Sequence, residues 1–133
     1  MSLLKSHSDF NKLVKTGDLY RDVFNRSVLP IIIHDMYFNI IDGNQKALQE
    51  FGYSRDEFLK MQIFDLHVNS ELEKSLEVLE KMKTTDKTTV KTIFKRKDGA
   101  VFSAEASPCK ISLEGFSFIH VHLQNITPEV GNT

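Results

Sequence analysis

The chain has 133 residues, seventeen basic against eighteen acidic for a formal net charge of −1, and 41% hydrophobic residues. That length suits one domain with one buried core, folding without a disulfide or a metal. The near-neutral balance excludes a global field drawing the chain to nucleic acid or anionic lipid, and the single cysteine, Cys109, excludes an intrachain disulfide.

Residues 2–16 place Leu3, Leu4, His7, Phe10 and Val14 at helical intervals, the pattern of an amphipathic helix. Met1-Ser2-Leu3 reads as an expression leader, so the weight falls on Phe10, Leu13 and Val14. Gly17 breaks that helix, and Asp18 is placed to cap a second one with Leu19, Tyr20, Val23 and Phe24 on its buried side. Pro30 opens a strand, Ile31 to Met36. Ile40 to Asp42 forms a second, with Asn39 taking a turn position that needs positive φ. Asn44 caps a helix whose inner face is Ala47, Leu48 and Phe51. Gly52 ends that helix in the left-handed conformation. Ser54 and Glu57 then have the spacing of a capping box, with Tyr53 and Phe58 at the two positions of a hydrophobic staple. An irregular turn through Phe64 follows. Ser70 and Glu73 repeat the capping-box spacing before a helix carrying Leu72, Leu76, Leu79 and Met82 along one stripe.

The remainder reads as strand. Val90, Thr92 and Phe94 alternate with Lys91, Ile93 and Lys95, and Phe102, Ala104 and Ala106 alternate with Ser103, Glu105 and Ser107. Asp98-Gly99 supplies the positive-φ residues of a tight hairpin, and Glu114-Gly115 marks another. The basic run Lys91, Lys95, Arg96, Lys97 reads as a solvated hairpin tip. In the last strand Ile119, Val121 and Leu123 share one face while His120, His122 and Gln124 share the other. No catalytic residue is assigned. Glu71, Glu73, Glu77 and Glu80 form the solvated face of a helix, and neither a phosphate-binding glycine loop nor a Ser/His/Asp or Cys/His arrangement is present. His120-X-His122 has a spacing that binds metal, but no third ligand is evident, so no metal site is assigned.

Asn44 through Phe58, then Phe94-Lys95-Arg96-Lys97-Asp98-Gly99-Ala100-Val101-Phe102 and the terminal Asn125-Ile126-Thr127, together resemble a PAS sensory domain over roughly residues 18 to 128. The resemblance implies an α+β fold: a five-stranded antiparallel sheet with short helices covering one face and an N-terminal helix flanking the other. It divides the chain into an N-terminal helical extension or cap, 1–27, the sensory domain, 28–128, and the start of a linker to an output domain, 129–133. The expected role is a ligand- or signal-sensing input module in signal transduction, itself not an enzyme. It would regulate a histidine kinase, a diguanylate cyclase or a transcription regulator attached in cis. The alternative is a dimerisation or protein-interaction module with a filled core and no ligand. The absence of a membrane-length apolar stretch or a signal-peptide core makes a cytoplasmic module the expectation, with a parent protein free to be membrane-anchored elsewhere.

By resemblance the pocket is lined by Ile32, His34, Phe51, Phe58, Phe64, Leu79, Phe94, Ala104, Ala106, Val121 and Leu123. The ten phenylalanines in the chain suit a packed core equally well, whereas Ala104 and Ala106 favour space. His34 is the inward polar anchor for a small molecule, or else a core histidine satisfied by a backbone carbonyl, a water, Tyr20 or Tyr53. Output is assigned to Gln124, Asn125, Ile126 and Thr127. A homodimer is expected, built on Phe10, Leu13, Val14, Val23 and Phe24 over Ile31, Ile33, His120 and His122 on the outer sheet face. Asn125 replaces the aspartate usual in the family, so an ion pair is not expected there. The flavin-binding light-oxygen-voltage subgroup holds its ring with polar strand residues where this chain has Phe94, Ala104 and Leu123, and uses a cysteine that Met61-Gln62-Ile63-Phe64 lacks. Flavin is therefore not expected. Haem is not expected either, because the segment Glu71 to Lys83 has no histidine and only His67 lies near it. Any other ligand is left open.

Overall fold

The computed structural model describes residues 15–68, 72–82 and 84–126, without the side chains of Leu72 and Leu79. The expectations for residues 2–14 of the first helix, including Phe10, Leu13 and Val14, for Ser70 as a cap, for Leu79 and for Thr127 lie outside these residues.

Five strands build one antiparallel sheet: β1 Ile31–Asp35, β2 Ile40–Gly43, β3 Val90–Lys95, β4 Val101–Leu113 and β5 Phe116–Asn125, in spatial order β2-β1-β5-β4-β3. Period-two alternation sets its faces. Ile32 pairs with Val121 and Ala106 with Leu123, and all four point inward and are buried. Ile31 pairs with His122 and Ile33 with His120 on the outer face. Four helical pieces cover the inner face: α2 Gln45–Phe51, α3 Arg55–Phe58, a 310 turn Ile63–Leu66, and α4 Leu72–Lys81. The core under α2 and α3 joins Phe51, Phe58, Phe94 and Phe102, all nearly fully buried, with ring centroids 5.5 to 6.2 Å from Phe51. Each such ring contributes on the order of 1.5–3 kcal/mol by leaving water. A further helix, α1 Asp18–Arg26, lies on the outer face with Phe24 buried.

The local signals act as the chain reads. Asn44 Oδ1 accepts the Ala47 N–H at 2.9 Å, Gly52 ends α2 at φ 83°, and Ser54 and Glu57 close a reciprocal capping box around α3. Tyr53 and Phe58 meet at 6.3 Å. Glu114 and Gly115 both take positive φ, 50° and 84°, in the β4–β5 hairpin.

Other details depart from the sequence reading. β1 stops at Asp35, because its carboxylate turns back to accept the N–H groups of Tyr37 and Asn39. That turn puts positive φ on Phe38, at 73°, and leaves Asn39 paired in a bridge with Gln62. Phe38 gains a ring contact with Phe64 at 4.2 Å. Gly17, with φ 78°, stands at the N-cap of α1 and Asp18 falls in its first turn. Val23 and Tyr20 are largely exposed, since the nine-residue α1 turns only Phe24 fully into the sheet. The irregular turn before Phe64 is a 310 turn, pinned by Ile63 N–H to Phe38 O at 2.8 Å. Along the expected stripe of α4 Leu76 departs, being 53% exposed while Val78 packs on the core, and Met82, just past the helix, is buried as expected. In the β3–β4 hairpin only Gly99 has positive φ, 90°, while Asp98 caps the Ala100 N–H. The hairpin is therefore longer than a two-residue turn, closed by Arg96 N–H to Ala100 O.

The basic tip of that hairpin is not simply solvated. Arg96 pairs with Glu50 at 3.0 Å and Lys97 with Glu57 at 2.7 Å, and Lys97 N–H donates to Phe51 O. The Lys97 ammonium, helped by the N–H and the hydroxyl of Ser54, holds the Glu57 carboxyl down at about 2.

Candidate functional site

Between α4, the 310 turn and the inner sheet face lies a cavity of about 60 Å³. A single water needs only about 10–15 Å³ of such space, so several waters or one small molecule would fit. Of the residues expected to line it, Ile32, His34, Phe94, Ala106, Val121 and Leu123 do. Phe51, Phe58 and Ala104 are buried away from it, among the ring cluster under α2 and α3. Phe64 is partly buried and stacks behind Phe38 rather than facing the space. Of the two small residues on β4, Ala106 borders the void and Ala104 is sealed in the core away from it.

The backbone holds this space open from both ends. The Asn39–Gln62 bridge and Ile40 N–H to Met61 O tie the start of the 310 turn to the β1–β2 turn, and the His67–Phe94 bridge ties its end to β3. These bonds fix the 310 side of the roof against the sheet.

Two polar poles break the apolar wall. On β1, His34 is 5% exposed, and its Nδ1 lies 2.8 Å from the carbonyl of Asp35. A carbonyl only accepts, so Nδ1 carries the proton and Nε2 presents a lone pair. Burial lowers the pKa of this ring, keeping it neutral, against the opposing pull of the Asp35 carbonyl and carboxylate. Of the partners weighed from sequence, the backbone carbonyl is the one found. At the other pole His67, 6% exposed, lies between Ser75 Oγ at 3.2 Å from Nε2 and Thr92 Oγ1 at 3.4 Å from Nδ1, with its ring 4.5 Å from Phe94. Sequence reasoning did not place His67, Ser75 and Thr92 in the site. They lie on three different elements, and only the alternation burying Thr92 hinted at it. Lys74 lies at the mouth and donates to the Lys91 carbonyl at 2.9 Å.

On the outer face, Leu19, Phe24, Ile31, His120 and His122 line a groove beside α1. The two imidazoles meet edge to face at 4.4 Å. Burial, with the neighbouring His122, lowers the pKa of His120. Cys109 lies opposite His120 in the β4–β5 register. Among the described residues no three His, Cys, Asp or Glu side chains stand together as a metal would need.

At the exit of β5, Asn125 Nδ2 donates to Glu50 Oε1 at 3.1 Å, the same oxygen that takes Arg96. Asn125 therefore joins an ion-paired network without a charge of its own. Ile126 N–H donates to Ser103 O, and Gln124 stands opposite Glu105 on the outer face.

A β2-β1-β5-β4-β3 antiparallel sheet roofed on one face by short helices is the architecture of the sensory-box class of domain. A profile of the PAS domain matches residues 28–128, and the chain belongs to the PAS domain family. Its fold is similar to the PAS domain of an HTR-like protein from Haloarcula marismortui, at 21% identity, TM-score 0.77, covering 91% of this chain and 100% of that one. It is also similar to a PAS domain from a two-component sensor histidine kinase, at 18% identity, TM-score 0.73, covering 90% and 99%. An RNA-binding light-oxygen-voltage receptor matches at 16% identity, TM-score 0.73, covering 96% of this chain and 36% of the receptor. No curated protein matches by sequence. Among the described residues no helix is long and apolar enough to cross a membrane.

The light-oxygen-voltage match corrects the expectation drawn against flavin. The backbone of such a receptor is shared over nearly the whole chain. With that backbone shared, the apolar side chains at Phe94, Ala104 and Leu123 and the missing cysteine near Phe64 do not by themselves exclude flavin.

Proposed function

We propose that this chain is the ligand-sensing input module of a larger signalling protein, whose output in cis is a histidine kinase, a diguanylate cyclase or a transcription regulator. The observation that carries it is the cavity itself, an apolar space with a neutral histidine on its wall, bordered by the strand pair β1–β5. An occupant would favour one packing of α4 and the 310 turn on the sheet. β5 would pass that preference to Gln124, Asn125, Ile126 and Thr127. A second copy across the outer face completes the proposal, since exposed Val23 and Tyr20 flank a groove floored by Ile31. The void favours this reading over an interaction module with a filled core.

The test is a thermal-shift screen of small molecules on the native protein and on Ala106→Leu. Ala106 borders the void, so leucine should fill it, hold the melting temperature within a few degrees and abolish ligand-induced shifts. Ala104→Leu, in the ring cluster, should cost about 1–3 kcal/mol instead. A large destabilisation by Ala106→Leu would mean that the space is not free and would sink the reading. An absorption spectrum of fresh protein reports whether the occupant is a flavin.

A further inference from the structure

The ligand class can be narrowed from the chemistry of the wall, an inference that rests on the sensing role proposed above. The ring of His34 commits its Nδ1 proton to the Asp35 carbonyl at 2.8 Å. Nε2 is then a pure acceptor, and among the described residues no hydrogen bond reaches it. No buried side-chain nitrogen or oxygen there is sealed without a partner. An Nε2 without a protein donor is therefore open to a small probe, and the space that His34 lines is the cavity.

The opposite pole has the reverse character. The hydroxyls of Ser75 and Thr92 are turned onto the two nitrogens of His67, so that donors and acceptors answer one another. Lys74 supplies the lining's one formal charge, at the mouth, with its ammonium on the Lys91 carbonyl. A charged ligand drawn into the cavity would lose its hydration without a buried counter-charge.

We propose that the cavity takes a small neutral molecule that presents an O–H or N–H donor to Nε2 of His34 and packs an apolar body against Ile32, Ile119, Val121 and Met82. Such a ligand bonds β1 directly, beside its pairing with β5.

The experiment compares two isomers, 1-butanol and diethyl ether, which share size and composition while only the alcohol donates. Xenon serves as a probe of the void alone. Protein labelled with 15N-histidine is followed by NMR at His34 Nε2, and affinities come from chemical-shift titration. The expected result is about tenfold tighter binding of 1-butanol than of the ether, with an Nε2 shift toward hydrogen-bonded values. His34→Phe should erase that preference while xenon still binds. Equal affinities, or an unmoved Nε2 resonance with xenon bound, would overturn the donor requirement and leave the sensing pocket standing. If xenon, alcohol and ether all leave the cavity residues unperturbed, the pocket reading fails and this inference goes with it.

Discussion

Asn44 shows how much one side chain can join. Its Oδ1 accepts from Ile31 N–H and Ala47 N–H, both at 2.9 Å, and its Nδ2 donates to the carbonyls of Phe24 and Leu29, both at 3.0 Å. One fully buried amide thus ties the end of α1, the start of β1 and the N-terminus of α2. Asn44→Ala strands four backbone groups, and at about 1–3 kcal/mol for each unsatisfied one the loss should exceed about 3 kcal/mol. Asn44→Asp keeps both acceptor bonds but faces two carbonyls with a carboxylate, so it should be nearly as damaging. Urea melts of both variants check this, and a mild effect of the aspartate would mean that the two carbonyls are otherwise satisfied. His34 adds a pH dependence at the same scale. Its folded pKa is lowered by burial, so the unfolded chain binds the proton more tightly. Stability is then full above the unfolded value of about 6.5 and declines as pH falls below it toward the lower folded pKa. His120 contributes in the same direction, discounted for its exposure. The urea midpoint of His34→Phe should fall less than that of the native protein from about pH 7.5 to about pH 5. Parallel curves would show that His34 is protonated as readily in the fold as in the open chain.

Between elements, close approach matters more than propensity. Gly43 ends β2 where the ring of Phe58 from α3 presses on the backbone: a Cβ there would meet Phe58 Cε2 at 2.5 Å. Gly43→Ala should therefore cost about 1–3 kcal/mol through overpacking, and Phe58→Leu in the same chain should recover part of it. No recovery in a double-mutant cycle would place the strain elsewhere. Nothing in the sequence around Gly43 announces this contact. What the sequence does announce is local: Asn44, Gly52, the Ser54–Glu57 box and Glu114-Gly115 are read correctly because cap and turn chemistry lies within a few residues. The exposure of Leu76 is not, because Leu76 and Val78 are equally apolar and only the sheet beneath selects Val78. The same holds for the site. The expected Ile32, His34, Phe94, Ala106, Val121 and Leu123 make up about a third of the wall, but His67, Ser75 and Thr92 come from three separate elements, and nothing in the alternation of β4 tells that the void borders Ala106 rather than Ala104.

At the scale of the whole molecule, the question is how the helical layer reaches the exit of β5. Glu50 is the junction. It sits in the last turn of α2 and takes Arg96 of the β3–β4 hairpin and Asn125 at the end of β5 on one oxygen, while Arg96 Nε also bonds the Glu50 carbonyl at 2.9 Å. Arg96 lies in turn over the Phe102 ring at 4.4 Å, so the network rests on the buried ring cluster. With Arg96 and Glu50 only 30% and 22% exposed, the pair is shielded enough to have structural weight. Glu50→Ala removes the carboxylate from Arg96 Nη2 and Asn125 Nδ2 while the Arg96 Nε bond to the backbone carbonyl stays, which should cost about 1–2 kcal/mol overall. Its specific mark should be at the exit, as faster hydrogen exchange of Ile126 N–H, which otherwise donates to Ser103 O at 2.9 Å. Glu50, Arg96 and Asn125 do not line the cavity, so binding of a pocket ligand should survive the substitution with its thermal shift intact. A protein that binds normally while its β5 exit has loosened would separate sensing from transmission. If Ile126 exchanges no faster in Glu50→Ala than in the native chain, the exit is held by its ladder bond alone and Glu50 transmits nothing.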